Sequence, residues 1–407
     1  MEQIFISKIK INKVRHLNKI EIPLSETGKK HLILTGKNGS GKTSLLDAMS
    51  DFLYSITSKT ELHTVNRLNE HHKVFLRPSP DKKSFELTDW ENELEETSCG
   101  VELELNQNLF KVYHLFQNGQ FVVAYYKAER AFQAPEPKQV EKVELKETYS
   151  IQDTPRKEFV KYLLDMKMTE ALAIANGKKE RADQIHLWFE RFQALLQELF
   201  EDDSVQLEFD MDTFRFSLVM DGREPFGFNT LSGGYAAILD MVADLILRME
   251  KHSDKVFDFH MPGIVLIDEI ETHLHLDLQR KILLFLTELF PNVQFIVSTH
   301  SPFILNSLED VVIYDLENHT LVENGLANVP YGGIVEGYFK ANEMSDTLKA
   351  KYERYRELTS QPTLSDDDMD ELSGLELYLD EIPDYLALDI TTEYQRLKQE
   401  LRTRGNV

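Results

Sequence analysis

Three stretches predict an α/β protein built on a mostly parallel sheet. The short apolar run His31-Leu32-Ile33-Leu34-Thr35 leads through a glycine-rich turn into Ser44-Leu45-Leu46-Asp47-Ala48-Met49, whose apolar residues recur at helical spacing. Ile264-Val265-Leu266-Ile267 is a continuous apolar run ending in Asp268-Glu269, and Phe295-Ile296-Val297-Ser298-Thr299 is another, ending in His300. Strands apolar on both faces belong in parallel sheets covered by helices. A helical segment from Leu274 to Leu289, followed by Pro291, lies between the last two runs and completes a βαβ unit.

The remaining elements follow in chain order. Ile4, Ile6, Ile9 and Ile11, then Ile20, Ile22 and Leu24, alternate with polar residues and predict an N-terminal antiparallel subdomain. The helix after the glycine-rich turn runs to about Leu53. Residues 55–98 are polar and irregular, with His71-His72, Pro78 and Pro80, and predict loops and short helices. Val101, Leu103 and Leu105, then Phe110, Val112 and His114, then Phe121 to Tyr125 predict strands, with Asn118-Gly119 as a hairpin turn. From Phe159 to Leu199 the period becomes helical, and Asn176-Gly177 splits it into a helical hairpin with an aromatic stripe that serves packing. Leu207 to Leu218 alternate again as strands. Leu231-Ser232-Gly233-Gly234 opens a strongly apolar helix (Ile238, Met241, Val242, Leu245, Ile246, Met249). One more strand, Val311-Val312-Ile313-Tyr314, precedes an acidic, mostly helical end in which Ser365-Asp366-Asp367-Asp368-Met369-Asp370 reads as a solvated loop. This divides the 407 residues into an N-terminal lobe (1–154), a helical insertion (155–204), a second lobe (205–325) and a C-terminal region (326–407).

Composition narrows the function classes. No apolar run approaches membrane-spanning length, and Met1-Glu2-Gln3-Ile4 lacks the basic-then-apolar layout of a signal peptide, so a cytoplasmic location and no membrane partner are expected. The single cysteine, Cys99, excludes an internal disulfide framework and a cysteine-based zinc site. The net charge of −24 argues against a generally nucleic-acid-coating surface. It is uneven, with nine Lys/Arg against three Asp/Glu in residues 1–43 and four against twelve in 361–407. A local face for DNA or RNA therefore stays open near the N-terminus.

The chemistry converges on a phosphate. Gly36-Lys37-Asn38-Gly39-Ser40-Gly41-Lys42-Thr43, continued by Ser44, fits G-x-x-x-x-G-K-[ST] between a strand and a helix. Its backbone N–H groups and the helix N-terminus favour a bound polyphosphate, Lys42 reaches the β- and γ-phosphates, and Thr43 offers a hydroxyl to Mg²⁺. In parallel sheets ligands sit beyond the carboxyl ends of the strands, which brings Asp268, Glu269 and His300 to the same place. There Asp268 holds Mg²⁺ through water, Glu269 orients an attacking water, and His300 senses the γ-phosphate.

In this order the four motifs resemble the Walker A, signature, Walker B and switch-histidine set of ABC-type ATPases. The resemblance implies ATP and Mg²⁺ as cofactors and a homodimer or higher even oligomer, in which Ser232, Gly233 and Gly234 of one subunit cap the nucleotide of another. The long gap between Walker A and signature, Tyr235 after the signature, Val14-Arg15 and Ser298-Thr299-His300-Ser301-Pro302 resemble the RecF/SMC/OLD-like branch. That branch implies that Arg15 approaches the nucleotide and that Glu271, His273 and His275 belong to the D-loop rather than to a metal site. Its Q-loop glutamine could be Gln107, Gln117 or Gln120. Tyr125-Tyr126-Lys127-Ala128-Glu129-Arg130 and Leu231 to Asp240 are similar to Septu-type and retron-associated antiphage ATPases, which implies a separate nuclease effector. The alternatives are a RecF-like DNA-binding ATPase of repair or maintenance and an OLD-like ATPase–nuclease. For the latter, Ile334-Val335-Glu336-Gly337 resembles a Toprim opening, without the Asp-x-Asp strand such a domain needs.

Overall fold

The computed structural model describes residues 3–58, 100–130, 132–137, 139–252, 257, 259–338, 346–361, 364–380 and 388–404. His71-His72, Pro78, Pro80 and Cys99 lie outside the described residues. The chain divides into two units, Met1–Val329 and Pro330–Val407.

In the first unit, β1 (Ile6–Val14) and β2 (Leu17–Pro23) form an antiparallel hairpin, and β4 (Val101–Leu105) pairs with the other edge of β1. The alternating isoleucines Ile9, Ile11 and Ile22 face inward. β3 (His31–Thr35), buried at every position, feeds α1 (Lys42–Thr57), which buries Leu45, Leu46, Met49, Phe52, Leu53 and Ile56 on one side. Gln294, wholly buried, joins the two sheets: its side chain accepts from the Ile6 amide at 2.7 Å and donates to the Ile6 carbonyl at 3.0 Å.

The next element corrects a sequence-based expectation. Residues 109–117, expected as a strand, form helix α2 (Leu109–Gln117). The Asn108 side chain caps it by accepting from the Phe110 amide at 2.7 Å. At its other end Gly119, at φ +66°, and Gln120 bond back to the carbonyls of Phe116 and Leu115. This is a Schellman stop, so Asn118-Gly119 ends a helix rather than turning a hairpin. Val112 and Phe116, four apart, are its buried face. The alternation of Phe110, Val112 and His114 covered too few positions to separate the two periods.

β5 (Val122–Tyr126) follows, then α3 (Phe159–Ala175) and α4 (Lys179–Phe200), a helical hairpin whose Phe159, Tyr162, Trp188 and Phe192 pack edge-on and stacked at 5.4–6.1 Å. β6 (Gln206–Asp210) and β7 (Arg215–Val219) pair with each other. α5 (Gly233–Glu250) is buried along nearly its whole length. β8 (Gly263–Ile267), α6 (Leu276–Leu289) and β9 (Val293–Ser298) make the βαβ unit. β10 (Val311–Asp315) and the short β11 (Thr320–Val322) close the sheet.

The central sheet has the order β11-β10-β3-β9-β8-β5. β10, β3, β9, β8 and β5 are mutually parallel, and only β11 runs against its neighbour. It is thus a mostly parallel P-loop sheet with an antiparallel N-terminal subdomain and a helical insertion. No helix among the described residues is long and apolar enough to cross a membrane.

The second unit packs α7 (Asp346–Ser360), α8 (Asp366–Asp380) and α9 (Leu388–Arg404) around Tyr352, Tyr355, Leu358, Leu372, Leu379 and Tyr394. Here the expected loop at Ser365–Asp370 is the start of a helix. The Ser365 hydroxyl accepts from the Asp368 amide at 3.2 Å, while the Ser365 amide donates to the Asp368 carboxylate at 3.0 Å. The three aspartates of the first turn face the positive end of the helix dipole, so an acidic run starts a helix instead of interrupting one.

Candidate functional site

Three neighbouring strands deliver the site. β9 lies between β3 and β8, so the turn after β3, the carboxylates after β8 and the histidine after β9 emerge side by side at one sheet edge. At about 4.8 Å per strand, the outer two are only about 10 Å apart.

The glycine-rich turn is shaped by left-handed backbone. Gly36, Gly39 and Gly41 have φ of +128°, +84° and +98°. A Cβ at Gly36 would meet Ser40 Oγ at 2.9 Å, and one at Gly41 would meet the Leu17 side chain at 2.9 Å. Lys42 is buried, and its ammonium donates to the turn's own carbonyls, Gly36 at 2.7 Å and Lys37 at 3.1 Å. Burial pulls its pKa below the ordinary value, opposed by the charges of Glu269, Asp268 and Glu271. Lys37, Asn38, Gly39 and Thr43 are exposed at the mouth, with Ser44 half-buried behind them and Ser40 buried. Lys37 pairs with Glu317 at 2.8 Å.

The acidic pair is held from beneath by a residue that sequence reasoning passed over. The Ser298 hydroxyl donates to Asp268 Oδ1 at 2.5 Å and accepts from the Glu269 amide at 2.8 Å. Ser298 ends β9 next to β8, and only the pairing of the two strands reveals its role. Glu269 sits at φ +44°, a left-handed conformation that is strained for a side chain of this size, and Thr272 Oγ1 donates to its Oε2 at 3.3 Å. Glu271 accepts from the His300 amide at 2.5 Å, which fixes the turn carrying the histidine. The pKa of His300 is lowered by burial and then by the Lys42 charge, while Glu271, Glu269 and Asp268 oppose that shift. Lys42, Asp268, Glu269 and His300 therefore share one electrostatic field.

The other expected residues are placed less centrally. Arg15 is exposed at φ +53° in the β1–β2 turn. That turn abuts the phosphate loop through its neighbours, since His16 Nε2 lies 3.2 Å from the Ser40 carbonyl and Leu17 packs on Gly41. A cavity of about 440 Å³ opens between this turn and the β10–β11 turn, lined by His16, Ile20, Asn38, Glu317 and His319 among others. Ser232 and Gly233 are exposed at the start of α5, where the Ser232 side chain makes no capping bond. Gly233 and Gly234 pack toward His273, a Cβ on Gly234 falling 3.0 Å from the His273 carbonyl. Within one chain, then, Gly234 is buried against the turn after Glu269, while Ser232 and Gly233 remain exposed.

Of the glutamines considered, Gln117 donates to the Thr57 carbonyl at 3.2 Å. This is the far end of α1, about 20 Å along the helix from Lys42. Gln107 accepts from Lys111 at 3.1 Å, beyond the end of β4 that pairs with the start of β1. Neither belongs to the site. The carboxyl end of β5, beside β8, instead carries Lys127 and Arg130. Among the described residues no group of three or more His, Cys, Asp and Glu is arranged to hold a metal ion. Thr43 and Asp268 offer oxygen donors only, a set that suits Mg²⁺ shared with a phosphate.

A family model described as "AAA domain, putative AbiEii toxin, Type IV TA system" matches residues 32–306. Septu protein PtuA of Bacillus mycoides (strain KBAB4) is 24% identical over 412 residues, covering 97% of this chain and 53% of the relative. The Retron Ec83 probable ATPase of Escherichia coli is 40% identical over 89 residues, covering 22% of this chain and 16% of the relative. The chain thus spans about half the length of the first, 53%, and a smaller part of the second. Among solved structures, an SMC head bound to the C-terminal winged-helix domain of ScpA aligns with 15% identity and a TM-score of 0.41, over 80% of this chain and 98% of that one.

Proposed function

Because the chain belongs to the family described as AAA domain, putative AbiEii toxin, Type IV TA system, we propose that it binds and hydrolyses ATP as a dimer closed around two nucleotides. The observation that carries this reading is the convergence of Lys42, Asp268, Glu269 and His300 at one sheet edge while Ser232 and Gly233 are exposed at the start of α5. A site complete except for a cap, on a chain that exposes such a cap elsewhere, calls for a second copy with two-fold symmetry.

Each residue then has a step. The phosphates of ATP enter the turn Gly36–Thr43, with Ser44 and the first amides of α1 behind it, and Lys42 exchanges the Gly36 and Lys37 carbonyls for phosphate oxygens. Thr43 and Asp268 would hold Mg²⁺, which supplies charge neutralisation at the β- and γ-phosphates. Glu269 orients water for in-line attack, its backbone amide held by Ser298 and its carboxylate by Thr272. His300, whose pKa burial and the Lys42 charge lower, forms a hydrogen bond at the γ-phosphate. Arg15 approaches from the β1–β2 turn, and Ser232, Gly233 and Gly234 of the second copy close the site with a hydroxyl and helix N-terminal amides.

The relatives' names, a Septu protein and a retron ATPase, support a role in antiphage defence. There ATP occupancy would govern a separate nuclease effector in the cytoplasm, with DNA or RNA as a further partner.

Assembly tests this reading. With ATP and Mg²⁺ the Glu269→Gln chain should double its mass by light scattering, and with ADP it should not. Equal masses in the two nucleotides would remove the ATP-closed dimer.

A further inference from the structure

One buried cation near the site has no part in the steps above. Arg130, 4% exposed, follows β5 and extends its guanidinium under the turn after β8. It donates to the carbonyls of Asp268 at 2.8 Å, Glu269 at 2.8 Å and Ile270 at 3.4 Å, and to that of Lys127 at 3.3 Å. Three consecutive peptide groups, with the strained Glu269 in the middle, are thus fastened to one rigid fork. Strain of this kind persists only when its surroundings over-determine it. Ser298 fixes the amide side of Glu269, and Arg130 fixes the carbonyl side.

None of these bonds reaches a carboxylate, although the cation is buried. The charges that face it are Glu271, Asp240, Asp268 and Glu269. Of these, Asp240 lies on α5, which begins at the exposed Gly233. Asp240 is 1% exposed; its Oδ1 pairs with Arg156 Nε at 2.7 Å, while its Oδ2 is buried without a hydrogen-bond partner. Arg130 Nε is likewise buried without a partner. Each of these two oppositely charged groups thus buries one polar atom without a hydrogen-bond partner, and each group acts on the other through its charge. Asp240 also feels Asp244, and burial lifts its pKa to about 6 against the pull of Arg156 and Arg130.

We infer that Arg130 is a positioning residue for Glu269, and that the buried charge of Asp240 couples its guanidinium to α5, so that seating Ser232–Gly234 on a nucleotide is felt at the attacking-water site. This rests on the proposed role of Glu269. The route is short, because Asp240 lies seven residues from Gly233, about 10 Å along the helix.

The test compares Arg130→Lys, Asp240→Asn and Glu269→Gln in the full chain, reading kcat for ATP, Kd for ADP and Tm. Arg130→Lys keeps the charge but loses the fork. It should lower kcat at least about tenfold with Kd for ADP within about threefold, a split that general loosening of the fold does not give. Asp240→Asn keeps the shape and removes the charge, and should lower kcat about fivefold, again without loss of ADP affinity. Arg130→Lys at wild-type kcat, or losing kcat and ADP affinity together, overturns the positioning role. Should Arg130→Lys fail to fold, Asp240→Asn decides, and wild-type kcat there removes the link to α5. If Glu269→Gln itself turns over normally, the assignment of Glu269 fails, and that result is distinct from the others.

Discussion

Glu269→Gln should lower ATP turnover by about 10²–10⁴-fold, the range that a positioned carboxylate supplies to proton transfer. The substitution is nearly isosteric. The Ser298 hydroxyl still receives the residue-269 amide, and Arg130 still holds the residue-269 carbonyl, so the backbone at φ +44° stays where it is. What disappears is the negative charge beside the attacking water. Nucleotide affinity should therefore stay within about threefold, because binding depends on the turn at Gly36–Thr43. Phosphate release under single-turnover conditions measures the step directly. Normal release from this variant would mean that another group orients the water.

Lys42→Ala should weaken ATP binding at least about 100-fold, equivalent to about 3 kcal/mol, from the loss of two charge-assisted bonds of about 1.5 kcal/mol each. The geometry makes Lys42 the switch of the loop. Its ammonium satisfies the Gly36 and Lys37 carbonyls, and a phosphate must take their place. Burial and four carboxylates, those of Glu269, Asp268, Glu271 and Asp315, pull its pKa in opposite directions, and the bound phosphate adds to the carboxylates' side. Removing the side chain leaves the carboxylates facing a polyanion with no cation between them. Calorimetric titration with ATP reads the loss, and an affinity near that of the parent chain would take the loop out of the account.

The parts of the fold that depend on local pattern were legible in the sequence. A strand, a glycine-rich turn and a helix within about twenty residues specify the Lys42 site without long-range information. The apolar runs 264–267 and 295–299 announce buried parallel strands. The helix Leu109–Gln117 was not legible as such, because its decisive signals are caps, Asn108 and Gly119, and the residues between fit either period. The acidic start of α8 was misread for the same reason. The buried charges of α5 were hidden more deeply. Asp240, Asp244 and Arg248 recur four residues apart on a helix that the sequence marks only as strongly apolar. They are interior because Arg156 and Tyr126, more than eighty residues away, meet them: Tyr126 donates to Asp244 at 2.9 Å, and Arg248 pairs with Asp244 at 2.6 Å. Arg130 and Ser298 stand in stretches that carry the family resemblance, but the roles of these two residues were not legible, since they bond groups at the end of another strand.

The claim that each site is shared between two chains is tested by mixing two inactive variants, Lys42→Ala and Ser232→Arg. The mixed dimer has one site in which Lys42 of one subunit meets Ser232 of the other. Hydrolysis should therefore return to up to roughly a quarter of the parent rate, since half of randomly paired dimers are mixed and each has one of two sites intact. A mixture no more active than its components measured separately would contradict a nucleotide site built by two chains.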